Sequence, residues 1–429
     1  MNHSKKRNPW AWVPTLYMAE GLPNVIVTIV AATLLMDRGF SDTQIAFYIG
    51  WLQQPWIFKF LWSPFVDLYK TKRWWVLLMQ VLIGSAFAGV AFVLPYDFWL
   101  QAFLCLLLLI SFSSATHDIA ADGFYMLELD EHKQALFVGI RNTFYRLAVI
   151  FGKGVLIPIA GLLQRLMPGN ETFAWSLLFY GMAGLFLAIW LYHTKIMPKP
   201  LTDKQHSTSA RDVARGMVES CKAFFTKLPL KQTIITLSFL LLYRLPEAVM
   251  STLSVTFLQR PHEQGGLGLT KEEFGLANGT VGMLGLLAGG VLGGILASRD
   301  GLKRWLWPMV LAFTVPDALY VYLSYAQPDS LFIISASLFI EQFGFGLGFT
   351  ALTLYMLYFS QGQFQTSHYA LCTGIIYLGW VLPGMFAGYL KDAVGYTNFF
   401  LIVMALCSIT FLVTALIKID PEFGKKKQE

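Results

Sequence analysis

Residues 114–153 read S-A-T-H-D-I-A-A-D-G-F-Y-M-L-E-L-D-E-H-K-Q-A-L-F-V-G-I-R-N-T-F-Y-R-L-A-V-I-F-G-K, and they set Asp118, Asp122, Glu128, Arg141, Arg146 and Lys153 among long apolar runs. Asp118 and Asp122 are four apart, so on a helix their carboxylates share one face. Arg146 and Lys153 are seven apart, again nearly one face, and Arg141 stands a little over one turn before Arg146. A charge near a bilayer centre costs at least ~2.5–3.5 kcal/mol on insertion scales, so such groups face protein or a water-filled cavity. Two consecutive helices that turn opposite charges toward one interior can form a transport path. Their cations suit an anionic or carboxylate-bearing substrate. A carboxylate that alternates between a basic partner and water can take up and release a proton during a cycle. The alternative for any one of these residues is a salt bridge that only fixes helix packing.

Other residues extend the set. Glu20 precedes Gly21 and Pro23, which predicts a bend where a carboxylate meets freed backbone groups; it can carry a proton, bind a polar substrate group or stabilise the kink. Glu341, ahead of F-G-F-G-L-G at 343–348, joins Asp118, Asp122 and Glu20 as a candidate for proton coupling, and Asp118 is favoured over Asp122 because it lies nearer mid-span. Arg141, Tyr145, Arg146 and Lys153, with Arg244 and Glu247 later in the chain, are the candidate substrate-binding residues. Asp317 is a further acid inside an apolar run. Lys59 sits between aromatic residues two turns before Asp67, which predicts a side chain snorkelling toward the inner surface. His117 points about 100° away from Asp118 and reads as a packed or hydrogen-bonded histidine. The glycines at 343–348 and at 282–294 predict close helix approach or a pliable segment. Tyr125, Tyr145, Tyr243, Tyr355 and Tyr377 are able to stack on sugar rings or to serve as core and interfacial anchors.

These residues need membrane helices to position them. Of 429 residues, 55% are apolar and only 14% charged, well under the ~25% charged of soluble domains, so the chain is an integral membrane protein. At about 20 apolar residues per crossing, twelve spans are predicted, near 11–36, 43–67, 74–95, 98–126, 135–163, 172–194, 232–258, 272–298, 305–325, 331–358, 366–390 and 397–418. The N-terminal Lys5, Lys6 and Arg7 before an apolar run resemble a secretory signal, but the run is too long and has no small-residue cleavage site, so it reads as the first span. The fold class is all-α membrane: a six-helix half over 1–194, a basic linker over 195–231, and a second half with a basic tail over 232–429. The second part of the linker is predicted to form an amphipathic surface helix. Of the 32 lysines and arginines, 22 fall on the side of the N-terminus and linker and five in the opposite loops, which predicts cytoplasmic termini. The net charge of +6 follows this asymmetry, and gives no sign of nucleic-acid binding. Four scattered cysteines without a C-x-x-C pair imply neither a disulfide framework nor a metal site.

The halves mirror each other faintly. Glu20-Gly21-Leu22-Pro23 in span one corresponds in depth to Arg244-Leu245-Pro246-Glu247 in span seven, and the turn Asp67, Lys70, Lys72, Arg73 after span two matches Asp300, Lys303, Arg304 after span eight. Two six-span halves with paired helix breaks and paired acidic-basic turns fit a transporter of the major facilitator type, in which Asp67, Lys72 and Arg73 form a gating loop.

G-L-P at 21–23, F-K-F-L-W-S-P-F-V-D at 58–67, S-A-T-H-D-I-A-A-D at 114–122 and Y-R at 145–146 closely resemble the AmpG-type muropeptide permeases of the major facilitator superfamily, and with them the related acetyl-CoA transporter branch. The resemblance is dense over about 17–155. It implies proton-driven import of anhydromuropeptides (N-acetylglucosaminyl-anhydro-N-acetylmuramic acid and its peptides) across the bacterial inner membrane, in peptidoglycan recycling by alternating access. By position it carries over to Asp118 and Asp122, to Arg146, and to Lys59 and Asp67. His117 stands where the family usually has Gln, and Glu20 and Lys153 are additions. The expected partners are the substrate, protons and membrane lipids, with a monomeric chain, no cofactor and no catalytic or metal site. The rival readings are a carrier of another anion, such as an acyl-CoA or sugar acid, and a membrane-embedded acyltransferase; no nucleophile–histidine arrangement supports the enzyme.

Overall fold

A computed structural model of the chain describes residues 7–40, 42–200, 203 and 210–425. Lys5, Lys6, Lys204 and the last lysines of the tail, which entered the orientation argument, lie outside the described residues. All regular structure among the described residues is helical. The spans are α1 (Pro9–Asp37), α2 (42–68), α3 (Lys72–Val93), α4 (Trp99–Glu128), α5 (Glu131–Leu166), α6 (Glu171–Ile196), α7 (Leu230–Gln259), α8 (Gly275–Asp300), α9 (Leu302–Ala326), α10 (Leu331–Ser360), and α11 and α12 within Gln365–Leu416. Among the described residues ten stretches are long and apolar enough to cross a membrane. The 52-residue stretch turns at Gly395, where φ is 74°, and so holds two spans. The segment 42–68 is a broken span in which helices restart at Gln54 and Ser63 around a 3-10 turn at Lys59–Leu61. Pro55 and Pro64 sit in the first turns of the restarted helices, where their missing N–H costs least, and each ends the helix before it. The twelve predicted spans are thus present. α4 and α5, 30 and 36 residues long, are about 45 and 54 Å at 1.5 Å per residue and exceed a ~30 Å hydrocarbon core.

The predicted bend at Glu20-Gly21 needs correction. Val13–Val25 runs as one α-helix through Pro23, and the irregularity comes later, as a π-helical turn at Ile26–Val30. Gly21 serves close approach instead: a Cβ there would meet the Tyr145 carbonyl oxygen at 2.7 Å. Span seven does break where its sequence suggests, between Leu242 and Leu245, with Pro246 opening the second helix. The glycines of α8 lie against α10, and a Cβ on Gly289 would stand 2.0 Å from the Phe343 carbonyl. Side chains are excluded from that seam, so the two backbones touch.

The chain forms two compact units. The first comprises Met1–Glu128, Arg141–Ser220 and Gln363–Ala370, with a core around Phe87, Phe103, Phe179 and Trp175. The second comprises Leu129–Ile140, Cys221–Gly362 and Leu371–Glu429, with a core around Phe257, Tyr320, Phe399 and Phe400. The boundary falls inside the connecting helix Ala210–Thr226, the predicted amphipathic one. Ahead of that helix Asp203 is anchored: its two carboxylate oxygens accept the backbone N–H of Lys72 (2.7 Å) and of Arg73 (3.0 Å) at the start of α3. A carboxylate on free N–H groups at a helix N-terminus is favoured both as a cap and by the helix dipole.

Candidate functional site

In the first unit α1, α2, α4 and α5 each contribute a charge to one buried cluster. α4 is a continuous helix from Trp99 to Glu128, so Asp118 and Asp122 stack on one face as their spacing requires. Carboxylate oxygens of Glu20, Asp118 and Asp122 all lie within 4.8 Å of one another. Glu20 is 6% exposed, and its Oε2 accepts no hydrogen bond among the described residues. Two cations answer the three acids. The Lys59 ammonium bridges to Asp118, and the Arg141 Nη2 lies 2.6 Å from Asp122 Oδ1. Acidic oxygens at these separations also suit a metal ion, but Lys59 and Arg141 already take up the two aspartates.

The place of Lys59 corrects the sequence reading. It is buried rather than snorkelling, because the 3-10 turn between the two prolines changes the rotation that an unbroken helix would have given it. Arg141 sits in an aromatic cage. Its guanidinium carbon lies 4.4 Å from the Tyr17 ring centre, 5.0 Å from Tyr125 and 5.6 Å from Tyr369. Nη2 also donates to the Tyr369 hydroxyl at 3.1 Å, and the Tyr17 hydroxyl donates to Asp122 at 3.0 Å. Nε and Nη1 of Arg141 remain without hydrogen-bond partners among the described residues, so two donors of this buried cation are unspent. Arg146 is half-buried and Lys153 exposed on α5; the carboxylates of the cluster are bridged by Lys59 and Arg141. Tyr145 is half-buried beside them.

His117 is hydrogen-bonded, as its direction suggested. The Gln80 amide nitrogen stands 3.0 Å from His117 Nε2 and 2.8 Å from His193 Nδ1, and His193 Nε2 stands 2.9 Å from the Thr15 hydroxyl. This chain ties α1, α3, α4 and α6 together behind the acidic cluster. Asp67 binds Lys72 at 2.8 Å, accepts from the Ser367 hydroxyl at 3.1 Å, and its backbone carbonyl accepts from Lys72 at 2.7 Å. Arg73 donates to the Thr194 carbonyl at 2.6 Å. The loop residues singled out by type are therefore fastened by direct bonds.

In the second unit Arg244 pairs with Glu247 through Nη2 at 2.8 Å and Nε at 3.0 Å, ringed by Phe349, Trp380 and Phe345 at 5.4–5.9 Å. Glu341 is 4% exposed and accepts from the Gln342 amide at 2.9 Å; Asp317, also 4% exposed, has the Cys407 thiol at 3.9 Å. Each unit thus holds one arginine in an aromatic cage beside a carboxylate. Tyr243, one of the sugar-stacking candidates, is instead stacked on Phe313 and donates to the Gly348 carbonyl.

The sequence reading missed Tyr17 and Tyr369 as partners of Arg141, Gln80 as the bridge between two histidines, and Asp203 as a cap. Tyr17 lies one turn from Glu20, a signal that helical spacing could have supplied. Tyr369 and Asp203 carried none, since their contacts lie 228 and about 130 positions away.

A family model described as the major facilitator superfamily matches residues 247–429. The anhydromuropeptide permease of Escherichia coli K12 is 27% identical over 395 residues, 91% of this chain and 76% of the permease. A Rickettsia conorii protein named putative transporter AmpG 4 is 25% identical over 410 residues, covering 93% and 94% of the two chains. Among solved structures, the E. coli fucose:proton symporter aligns at a TM-score of 0.68 with 15% identity, covering 96% of this chain and 99% of that one. A proton:xylose symporter aligns at 0.64 with 13% identity, covering 97% and 96%. The fold is that of the major facilitator transporters.

Proposed function

We infer that this chain, a transporter of the major facilitator fold related to the anhydromuropeptide permeases, imports anhydromuropeptides with protons. The observation that carries the coupling is the pairing of the buried cluster: among the described residues Lys59 bridges Asp118 and Arg141 bridges Asp122, while Glu20 stands with them within 4.8 Å. Buried charges must be paired or neutralised, so the cluster takes one further positive charge, and a proton is the cation that fits beside two protein cations. With Lys59 on Asp118 and Arg141 on Asp122, Glu20 is the acid of the three that makes no ion pair among the described residues. Of the candidates Asp118, Asp122, Glu20 and Glu341, the emphasis therefore moves from Asp118 to Glu20 beside it. Glu341 is the corresponding candidate in the second unit. The relation to named permeases over 91% of the chain supports the substrate class. So do the unspent donors of Arg141 together with Arg146, Lys153 and Tyr145 on the same helix, and in the second unit Arg244 and Glu247. The gating role falls to Asp67, Lys72 and Arg73. The basic asymmetry supports both termini in the cytoplasm, and the similarity to named permeases supports an inner-membrane place, where the chain acts as a monomer.

The test compares uptake driven by a pH gradient with counterflow of labelled muropeptide in proteoliposomes, with free amino sugars and acyl-CoA as competitors. Glu20→Gln is expected to lose gradient-driven accumulation and keep counterflow, because the amide mimics a permanently protonated acid. Asp118→Asn and Asp122→Asn strand Lys59 and Arg141, and are expected to lose both activities. Accumulation at the wild-type level by Glu20→Gln would remove Glu20 from the coupling step. Uptake of acyl-CoA alone would replace the substrate.

A further inference from the structure

A cleft of about 580 Å³ opens in the second unit where the start of α7 and the ends of α10 and α12 come together. Its walls are mainly apolar, with Ile235 and Leu416 opposite Tyr355 and Tyr358, and Lys227, Lys231 and Lys418 line it without any carboxylate. Lys227 is committed: its ammonium donates to the carbonyls of Phe359 and Gln361 at the end of α10, where a cation also suits the helix dipole. Lys231 and Lys418 are exposed and make no ion pair among the described residues. Lys231 stands in the first turn of its helix, Leu230–Leu242, where the dipole disfavours a cation and the free N–H groups favour an anion. Helix stability does not account for a lysine there.

Exposed apolar residues at helical spacing flank the cleft on both helices. On α7 Leu230 is 74% and Ile234 54% exposed, and on α12 Leu412 is 61% and Leu416 48% exposed. We propose that this cleft is a binding site for an anionic phospholipid, whose phosphate sits between Lys231 and Lys418 and whose acyl chain lies along the apolar rims. A small soluble anion would use the lysines and leave the apolar walls unexplained. A zwitterionic lipid would fill the walls but bring its own cation to a mouth with no acid. The volume suits a headgroup with the first part of a chain, within the ~300–1,000 Å³ usual for ligand sites, and basic pockets between helices on the cytoplasmic side are of the kind that hold anionic headgroups.

The experiment is native mass spectrometry of the full chain in detergent, titrated with phosphatidylglycerol, phosphatidylcholine or inorganic phosphate. The wild type is expected to retain phosphatidylglycerol and to show little binding of the other two. Lys231→Gln with Lys418→Gln removes two contacts, each worth about fivefold, so its phosphatidylglycerol affinity is expected to fall on the order of 30-fold. Lys303→Gln with Arg304→Gln removes the same charge at the turn after α8 and is expected to bind as the wild type does. Because both replaced lysines are exposed, folding is checked simply by an unchanged gel-filtration profile. Equal retention by the two double variants, equal binding of phosphatidylcholine, or protection by inorganic phosphate at the concentrations of the lipid would each overturn the proposal.

Discussion

Replacing Arg141 by Met asks whether the caged ion pair is what holds the first unit's charges in place. The pair is almost fully enclosed, with side chains 7% and 6% exposed, so solvent screens it little. Removing one partner of a buried pair costs about 3–5 kcal/mol, because the other charge is left in low dielectric. Loss of cation–π contact with Tyr17 and Tyr125 adds about 0.5–2 kcal/mol, while the Tyr17 hydroxyl still donates to Asp122 and returns part of it. A net loss of about 4 kcal/mol is expected for Arg141→Met, which for a compact unit of this size lowers the thermal midpoint on the order of 10 °C. Asp122→Asn alone strands the guanidinium and costs about 3 kcal/mol. Combining the two removes both charges, and such replacements of buried pairs come out close to neutral, so the double variant should recover most of the loss. Arg141→Lys keeps the charge but not the planar fork, and should fall between. Thermal unfolding of the four variants in one detergent measures the cycle. Strictly additive losses, with a coupling under about 0.5 kcal/mol, would refute the claim that these residues stabilise each other.

Arg146→Gln should weaken uptake of a carboxylate-bearing substrate about tenfold, the worth of one charge-assisted hydrogen bond, while the protein inserts and purifies normally; unchanged uptake would leave it a structural residue. Asp203→Asn keeps the cap geometry and loses the charge at the start of α3, and about 0.3–1 kcal/mol should disappear from stability, more of it at low salt; a midpoint independent of both substitution and salt speaks against the anchor. Gly289→Ala should cost at least 1–3 kcal/mol, since its methyl would sit on the Phe343 carbonyl and the seam between α8 and α10 must part. Normal yield and melting of that variant would show the seam to be loose. Single cysteines in the 259–271 loop should react only from the side opposite those near the 195–231 connection, and labelling of both from one side would reverse the map.

Length and apolarity made the spans legible, and their charges named the cluster before any geometry. Partner choice was hidden because it depends on helix rotation. Lys59 read as snorkelling from its distance to Asp67 along a regular helix, yet the chain between Pro55 and Pro64 is not one. Arg141 and Asp122 were both flagged, but nothing in their spacing says that Asp122 rather than Asp118 receives the guanidinium. The expected bend at Glu20 rests on Gly21 and Pro23 following it, while the role of Gly21 depends on the Tyr145 backbone of another helix. For the glycines of α8 and α10 the sequence allows close approach or a pliable segment, and the contact of the two backbones selects close approach.

The carboxylate of Asp203 on the first N–H groups of α3 has a practical side. Polytopic chains are often divided at their central connection so that two fragments can be made together and allowed to reassemble. Here the choice of cut matters by a few positions. A break among residues 204–209 leaves the cap on the same fragment as the helix it serves, whereas a break at 198–202 puts them on different molecules and turns a local contact into a bimolecular one. The first fragment should therefore end after Asp203, although the proline-rich stretch before it is the more inviting place to divide the gene.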